Sequence, residues 1–118
     1  MQQSIVLNPW SYRFAPCHPE TLNKFLRSKF GFSAEDILLE GDGKTSFSCA
    51  FSSGKEFVFK WDELRLYFSF GGYKKNESDD SVLRKARAFF SGNLIYPIYK
   101  DEIWLFLIDR SYFVENYL

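Results

Sequence analysis

Residues 45–70 alternate. In TSFSCAFS (45–52), Phe47, Cys49 and Phe51 take alternate positions against Ser46, Ser48, Ala50 and Ser52. In EFVFKW (56–61), Phe57, Phe59 and Trp61 alternate with Glu56, Val58 and Lys60. In LRLYFSF (64–70), Leu64, Leu66, Phe68 and Phe70 alternate with Arg65, Tyr67 and Ser69. Successive side chains of a strand point to opposite faces. Each segment is therefore a strand with one aromatic face. Ser53-Gly54 and Asp62-Glu63 supply short turns, so the strands form an antiparallel meander. The same one-sided pattern in three consecutive strands puts the rings in a core beneath helices, not on a ligand platform. A Phe buried there contributes about 2 kcal/mol relative to exposure.

The flanking segments supply those helices and further strands. In HPETLNKFLRSKFGF, Pro19 is suited to the first helical position, Glu20 to the first turn and Gly31 to the stop. Leu22, Phe25, Leu26 and Phe30 follow helical spacing along one stripe. Residues 33–36 are spaced to open one further helical turn. ILLE (37–40) followed by Asp42-Gly43 predicts another strand and hairpin. After the polar loop GGYKKNESDD (71–80), Asp80 or Ser81 is placed to cap a helix from about residue 82 to 90, stopped near Gly92. Strands are predicted at about 94–99 and 103–108, joined by Lys100-Asp101-Glu102. A short helix over 111–117 follows, with Asp109 as its cap. The lead-in through Pro16 carries Trp10, Tyr12 and Phe14 and is irregular or strand-like. The fold class is α+β: an antiparallel sheet of about five or six strands with two or three helices packed mainly on one face. At 118 residues the chain is one domain, 1–118.

The last two strands differ from the meander. Leu94, Tyr96 and Ile98 oppose Ile95 and Tyr99, and Ile103, Leu105 and Leu107 oppose Trp104, Phe106 and Ile108. Strands apolar on both faces must be covered on both. Either they sit centrally beneath helices, or part of them meets a partner. Pro97 marks its strand as an edge or a bulge.

Composition narrows the function classes. Fifteen basic and fifteen acidic residues balance to zero. A nucleic-acid binder usually carries a basic surplus, because phosphate neutralisation supplies much of its affinity. Two cysteines are no disulfide framework, and MQQSIVLNPW does not read as a signal peptide, so a reducing cytoplasm is expected. The apolar run 103–108 is far too short to span a membrane.

No motif of specific chemistry is present. Cys17-His18 is the one adjacent nucleophile and base, yet neighbouring side chains usually diverge and no third orienting residue can be named. His18 reads better as a helix-entry residue. Two Cys and one His do not make a zinc site. The carboxylates gather in turns, where Asp is favoured for local backbone reasons. GKEFVFKW (54–61) resembles the RNP1 motif of RNA-recognition domains in its aromatic alternation. Gly54 and Lys55 stand in the wrong order, the central small residue is missing, and the rings fall on the core face. The chain is read as no enzyme, with no cofactor and no metal.

In profile over the whole chain, the protein resembles the small bacterial immunity proteins that neutralise cognate toxins, such as those of contact-dependent growth-inhibition systems. What carries this is a single aromatic-rich domain with clustered turn acids and no enzyme site. No residue matches a family signature, so no family residues carry over. The resemblance implies a stoichiometric antitoxin that binds a toxin domain and blocks it. Such interfaces use desolvated aromatic anchors and complementary charge. The expected anchors are Tyr96, Tyr99 and Trp104, with Asp101 and Glu102 facing basic residues of a nuclease-like toxin. The alternative patch is the acidic loop Glu77, Asp79 and Asp80. A competing expectation is a nucleic-acid-binding or regulatory domain using the hydroxyl-rich sheet face with Arg84 and Arg87. A third is an enzyme with Cys17 as nucleophile.

Overall fold

The computed structural model of the chain describes residues 15–33, 46–51, 53–77 and 79–118. The expected turn over 34–36, the strand over 37–40, the Asp42-Gly43 hairpin and the lead-in rings Trp10, Tyr12 and Phe14 lie outside the described residues. The described elements are α1 (Pro19–Phe30), β1 (Ser46–Ala50), β2 (Glu56–Trp61), β3 (Arg65–Gly71), α2 (Ser81–Gly92), β4 (Ile98–Lys100), β5 (Ile103–Asp109) and α3 (Arg110–Tyr117). The strands form one antiparallel sheet in the order β1-β2-β3-β5-β4, an α+β fold.

Local chemistry sets the helix ends. His18 caps α1: its Nδ1 accepts the Glu20 backbone N–H at 3.2 Å, and Pro19 follows. Gly31 closes the helix in the left-handed region at φ 71°, and its N–H returns to the Leu26 carbonyl. Asp80 caps α2 by accepting the Leu83 N–H at 2.9 Å. Asp109 caps α3 by accepting the Tyr112 N–H at 2.8 Å. Each such cap is worth about 1 kcal/mol.

The core is one aromatic cluster on one face of the sheet. Phe47 and Cys49 of β1, Phe57, Phe59 and Trp61 of β2, Leu66, Phe68 and Phe70 of β3, and Trp104, Phe106 and Ile108 of β5 are all buried. Leu22, Phe25, Leu26 and Phe30 of α1 join them, with Leu83, Ala86 and Phe90 of α2 and Phe113 of α3. Phe68 lies at the centre, within ring contact of Phe25, Phe30, Phe57, Phe59, Phe90 and Phe113. Phe90 stacks on Phe106 with centroids 4.5 Å apart. Most of the other ring pairs meet tilted or edge to face, which the ring quadrupoles favour.

Two expectations are corrected. Leu64 does not share the face of Leu66, Phe68 and Phe70; it sits in the turn before β3 and is 72% exposed. The Asp62 carboxylate holds that turn by accepting the Leu64 and Arg65 N–H groups at 2.8 and 2.7 Å. The strand expected over 94–99 is shorter and begins at Ile98. The chain before it still serves the end of α2: the Leu94 and Ile95 N–H groups return to the Ser91 and Phe90 carbonyls. Pro97 directly precedes this edge strand, where its missing N–H costs no ladder bond.

Candidate functional site

The eight expected contact residues fall into three settings. Trp104 is buried, with the Arg87 guanidinium 4.6 Å above its ring. Tyr99 packs on it at 4.7 Å and donates its hydroxyl hydrogen bond to the Tyr73 carbonyl at 2.7 Å. Burial, with Glu102 and Glu77 nearby, raises the Tyr99 phenol. These two rings belong to the core layer of β4 and β5. Two of the three loop acids are tied into structure as well. Glu77 pairs with Lys55 at 2.7 Å and accepts the Lys74 N–H, which holds its carboxyl below the ordinary range. Asp80 is the cap of α2 and also raises the buried Tyr73 phenol, after burial itself. Asp79 is exposed.

Tyr96, Asp101 and Glu102 stand outward. Tyr96 is 82% exposed. Asp101 and Glu102 form the two-residue turn of the β4–β5 hairpin, with φ 53° and 61°. Both are exposed, and among the described residues neither makes a salt bridge. A hairpin of this length wants left-handed residues matching the sheet twist, normally Asn-Gly. Two acids hold it here, and the Glu102 carbonyl anchors the turn by accepting the Gly72 and Tyr73 N–H groups. Leu94, Ile98 and Ile103 are exposed beside these residues. Tyr96, Asp101 and Glu102 thus bracket the edge strand β4, whose exposed side chains are Ile98 and Lys100.

The second surface is the sheet face opposite the core. Pairing aligns Val58, Ser69, Leu105 and Ile98 in one row across the sheet. Lys60, Tyr67 and Leu107 lie in the row on one side, and Glu56, Gly71, Ile103 and Lys100 in the row on the other. A shallow depression of about 620 Å³ runs over this face, lined by Glu56, Val58, Tyr67, Ser69, Ile103 and Leu105 among others. The Tyr67 hydroxyl donates to the Asp62 carboxylate at 2.7 Å. That bond, then the Leu64 and Arg65 N–H groups, holds the Asp62 carboxyl low, and the carboxylate holds the Tyr67 proton on. The aliphatic half of this face went unassigned in the sequence, because both sides of 103–108 are equally apolar.

Nucleophilic chemistry finds little support at Cys17. Burial pushes its thiol up to about 12, so the thiolate is scarce at neutral pH. The adjacent His18 Nδ1 is occupied at the α1 cap. Among the described residues no group of three or more His, Cys, Asp or Glu is placed to hold a metal ion, and no helix is long and apolar enough to cross a membrane. Arg84 and Arg87 line a small hollow that Glu77 and Asp80 also line, so acids stand beside the two arginines of α2. Comparison with protein-family models, with curated proteins and with solved structures returned no match.

Proposed function

We propose that the protein is a non-enzymatic protein-binding module and, following its profile resemblance, an immunity protein that binds a toxin domain in the cytoplasm and blocks its activity. One observation carries the binding reading: Leu94, Tyr96, Ile98 and Ile103 are all exposed, and Ile103 directly follows the exposed acidic turn Asp101-Glu102. Contiguous exposed apolar side chains with a charged rim are the usual composition of a contact surface. The acids suit a basic partner, as a nuclease domain would be, and would act mainly on the rate of encounter.

The test uses the tagged protein in its native host, with captured proteins identified by mass spectrometry. The expected result is a single stoichiometric partner that carries a toxin activity. Asp101→Lys with Glu102→Lys then slows association with that partner by about tenfold or more at low salt, with the circular dichroism spectrum unchanged. Unchanged association rates remove the hairpin from the interface. The competing nucleic-acid reading uses the open sheet face. Among the described strand residues that face presents one ring, Tyr67, and its Lys60, Arg65 and Lys100 are equalled in number by Glu56, Asp62 and Asp109. It therefore lacks the stacking platform and positive field that single-strand binders use. Capture of RNA with steep salt dependence would reverse this preference.

A further inference from the structure

The row Val58, Ser69, Leu105 and Ile98 divides the open sheet face into two flanking rows. The residues on either side of it are complements of one another. On β2, Glu56 stands one step above Val58 and Lys60 one step below. On β5, Ile103 and Leu107 flank Leu105 in the same way. On β3, Gly71 and the bulky Tyr67 flank Ser69. Rotation by 180° about an axis lying along the central row turns the face onto a copy of itself and exchanges the two flanks. Glu56 then meets Lys60 of the second copy, and Lys60 meets its Glu56. Ile103 meets Leu107, and Leu105 and Val58 meet their own equivalents.

We infer that this face docks a second copy of the chain, giving a twofold dimer in which two sheets pack face to face. A contact of this symmetry must be self-complementary: Glu56 matches Lys60 in charge and Ile103 matches Leu107 in apolarity, while Lys100, in the row of Ile103, would face the chain that precedes β4. Glu56 and Lys60 are exposed, while Val58, Leu105 and Leu107 are half-buried and Ile103 more open. The Glu56 side chain lies over Gly71, its Cγ 3.2 Å from where a Cβ would stand, so the acid already reaches across the flank that Lys60 and Tyr67 of the other copy would cover. Aligned sheets pack about 10 Å apart with strands within about 30° of one another, which suits side chains of this length.

The area sets the strength. Five strands about 4.8 Å apart, with about five residues of four of them and the three of β4 in contact, project somewhat under about 400 Å². Two such faces bury on the order of 1,000 Å² once side-chain relief is included, the lower end for a specific association. The dimer is therefore weak, with a dissociation constant in the micromolar range. This inference does not rest on the toxin-binding reading, since it needs no second protein; the two surfaces share Ile98 and Ile103, so dimer and toxin complex would compete for them.

The experiment is sedimentation equilibrium of the purified protein from about 1 to about 500 µM, a range that brackets a weak interface of this size. A reversible monomer–dimer equilibrium that weakens with salt is expected. Glu56→Lys sets lysine against lysine at both symmetric contacts, and Lys60→Glu sets acid against acid. Each single change should weaken the dimer by about tenfold or more. The double variant, Glu56→Lys with Lys60→Glu, exchanges the charges and should restore it. Because these positions are exposed, each variant should keep the wild-type circular dichroism spectrum, and the restored double variant guards against misfolding as the cause. A monomer throughout the range overturns the inference and leaves the face to a different protein. Association that ignores the single changes, or that the double change fails to restore, overturns it too.

Discussion

On β5 the two faces of the sheet can be compared residue by residue. Trp104, Phe106 and Ile108 are buried beneath the helical layer; Ile103, Leu105 and Leu107 are as apolar, and are half-buried or exposed. On β3 the contrast is one of composition as well: Leu66, Phe68 and Phe70 against Arg65, Tyr67 and Ser69. Apolar side chains therefore do not by themselves mark the core of this protein. What marks it is the cover, the apolar stripes of α1 and α2 with Phe113 of α3. The same aliphatic chemistry stabilises the fold on one face and is left to bind on the other.

Two substitutions test that contrast directly, the larger expected effect first. Phe68→Ala empties the centre of the ring cluster and should lower the unfolding free energy by about 3–5 kcal/mol. Leu105→Ala, on the neighbouring strand but the other face, should cost less than about 1 kcal/mol. Urea unfolding of the two variants measures the difference, and equal losses would show that the open face is covered in the folded protein.

Titration separates the faces in another way. Cys17 packs against the core, and burial pushes its thiol up to about 12 from an ordinary 9. The folded chain keeps that proton where the unfolded chain releases it. The stabilisation is full below about pH 9 and is lost as the pH rises from 9 toward 12. Tyr73, raised first by burial and then by Asp80, adds a loss of the same sign above pH 10. The urea midpoint should therefore fall above pH 9, and Cys17→Ser should flatten the curve between pH 9 and 10. A wild-type midpoint constant to pH 10.5 would contradict the placement of Cys17.

The smallest effect lies at the hairpin tip. Replacing Asp101 and Glu102 by Asn and Gly supplies residues that adopt positive φ readily and should stabilise the chain by about 0.5–1 kcal/mol. The same change removes both tip carboxylates, so on the proposed function it slows toxin association while raising the melting temperature. Stability and binding moving in opposite directions would mark the tip as a contact held against local preference. Loss of both would make it structural.

Much of the architecture was legible along the chain. The bounds of α1 and β2 and the caps of α2 and α3 follow from Pro19, Gly31, Asp80, Asp109 and a strict period of two. These are short-range effects, decided within a turn or a pleat. Leu64 was misplaced because alternation continues through a turn that only the Asp62 hydrogen bonds reveal. The sites were less legible. Tyr96, Tyr99 and Trp104 look alike as exposed or anchoring rings, and the fold separates them, leaving Tyr96 outside and the other two in the core layer.

The period-two and period-3.6 patterns are written into single segments, so the amino-acid order was enough to specify strands, helices, caps and the aromatic face of the meander. It was not enough to say which side of β5 would be covered, that β5 would insert between β3 and β4, or that Glu56, Lys60, Ile103 and Leu107 would surround one row of the open face. Those outcomes depend on strand order and register. Both are set by which apolar surfaces find one another across the chain, after the local preferences have been satisfied.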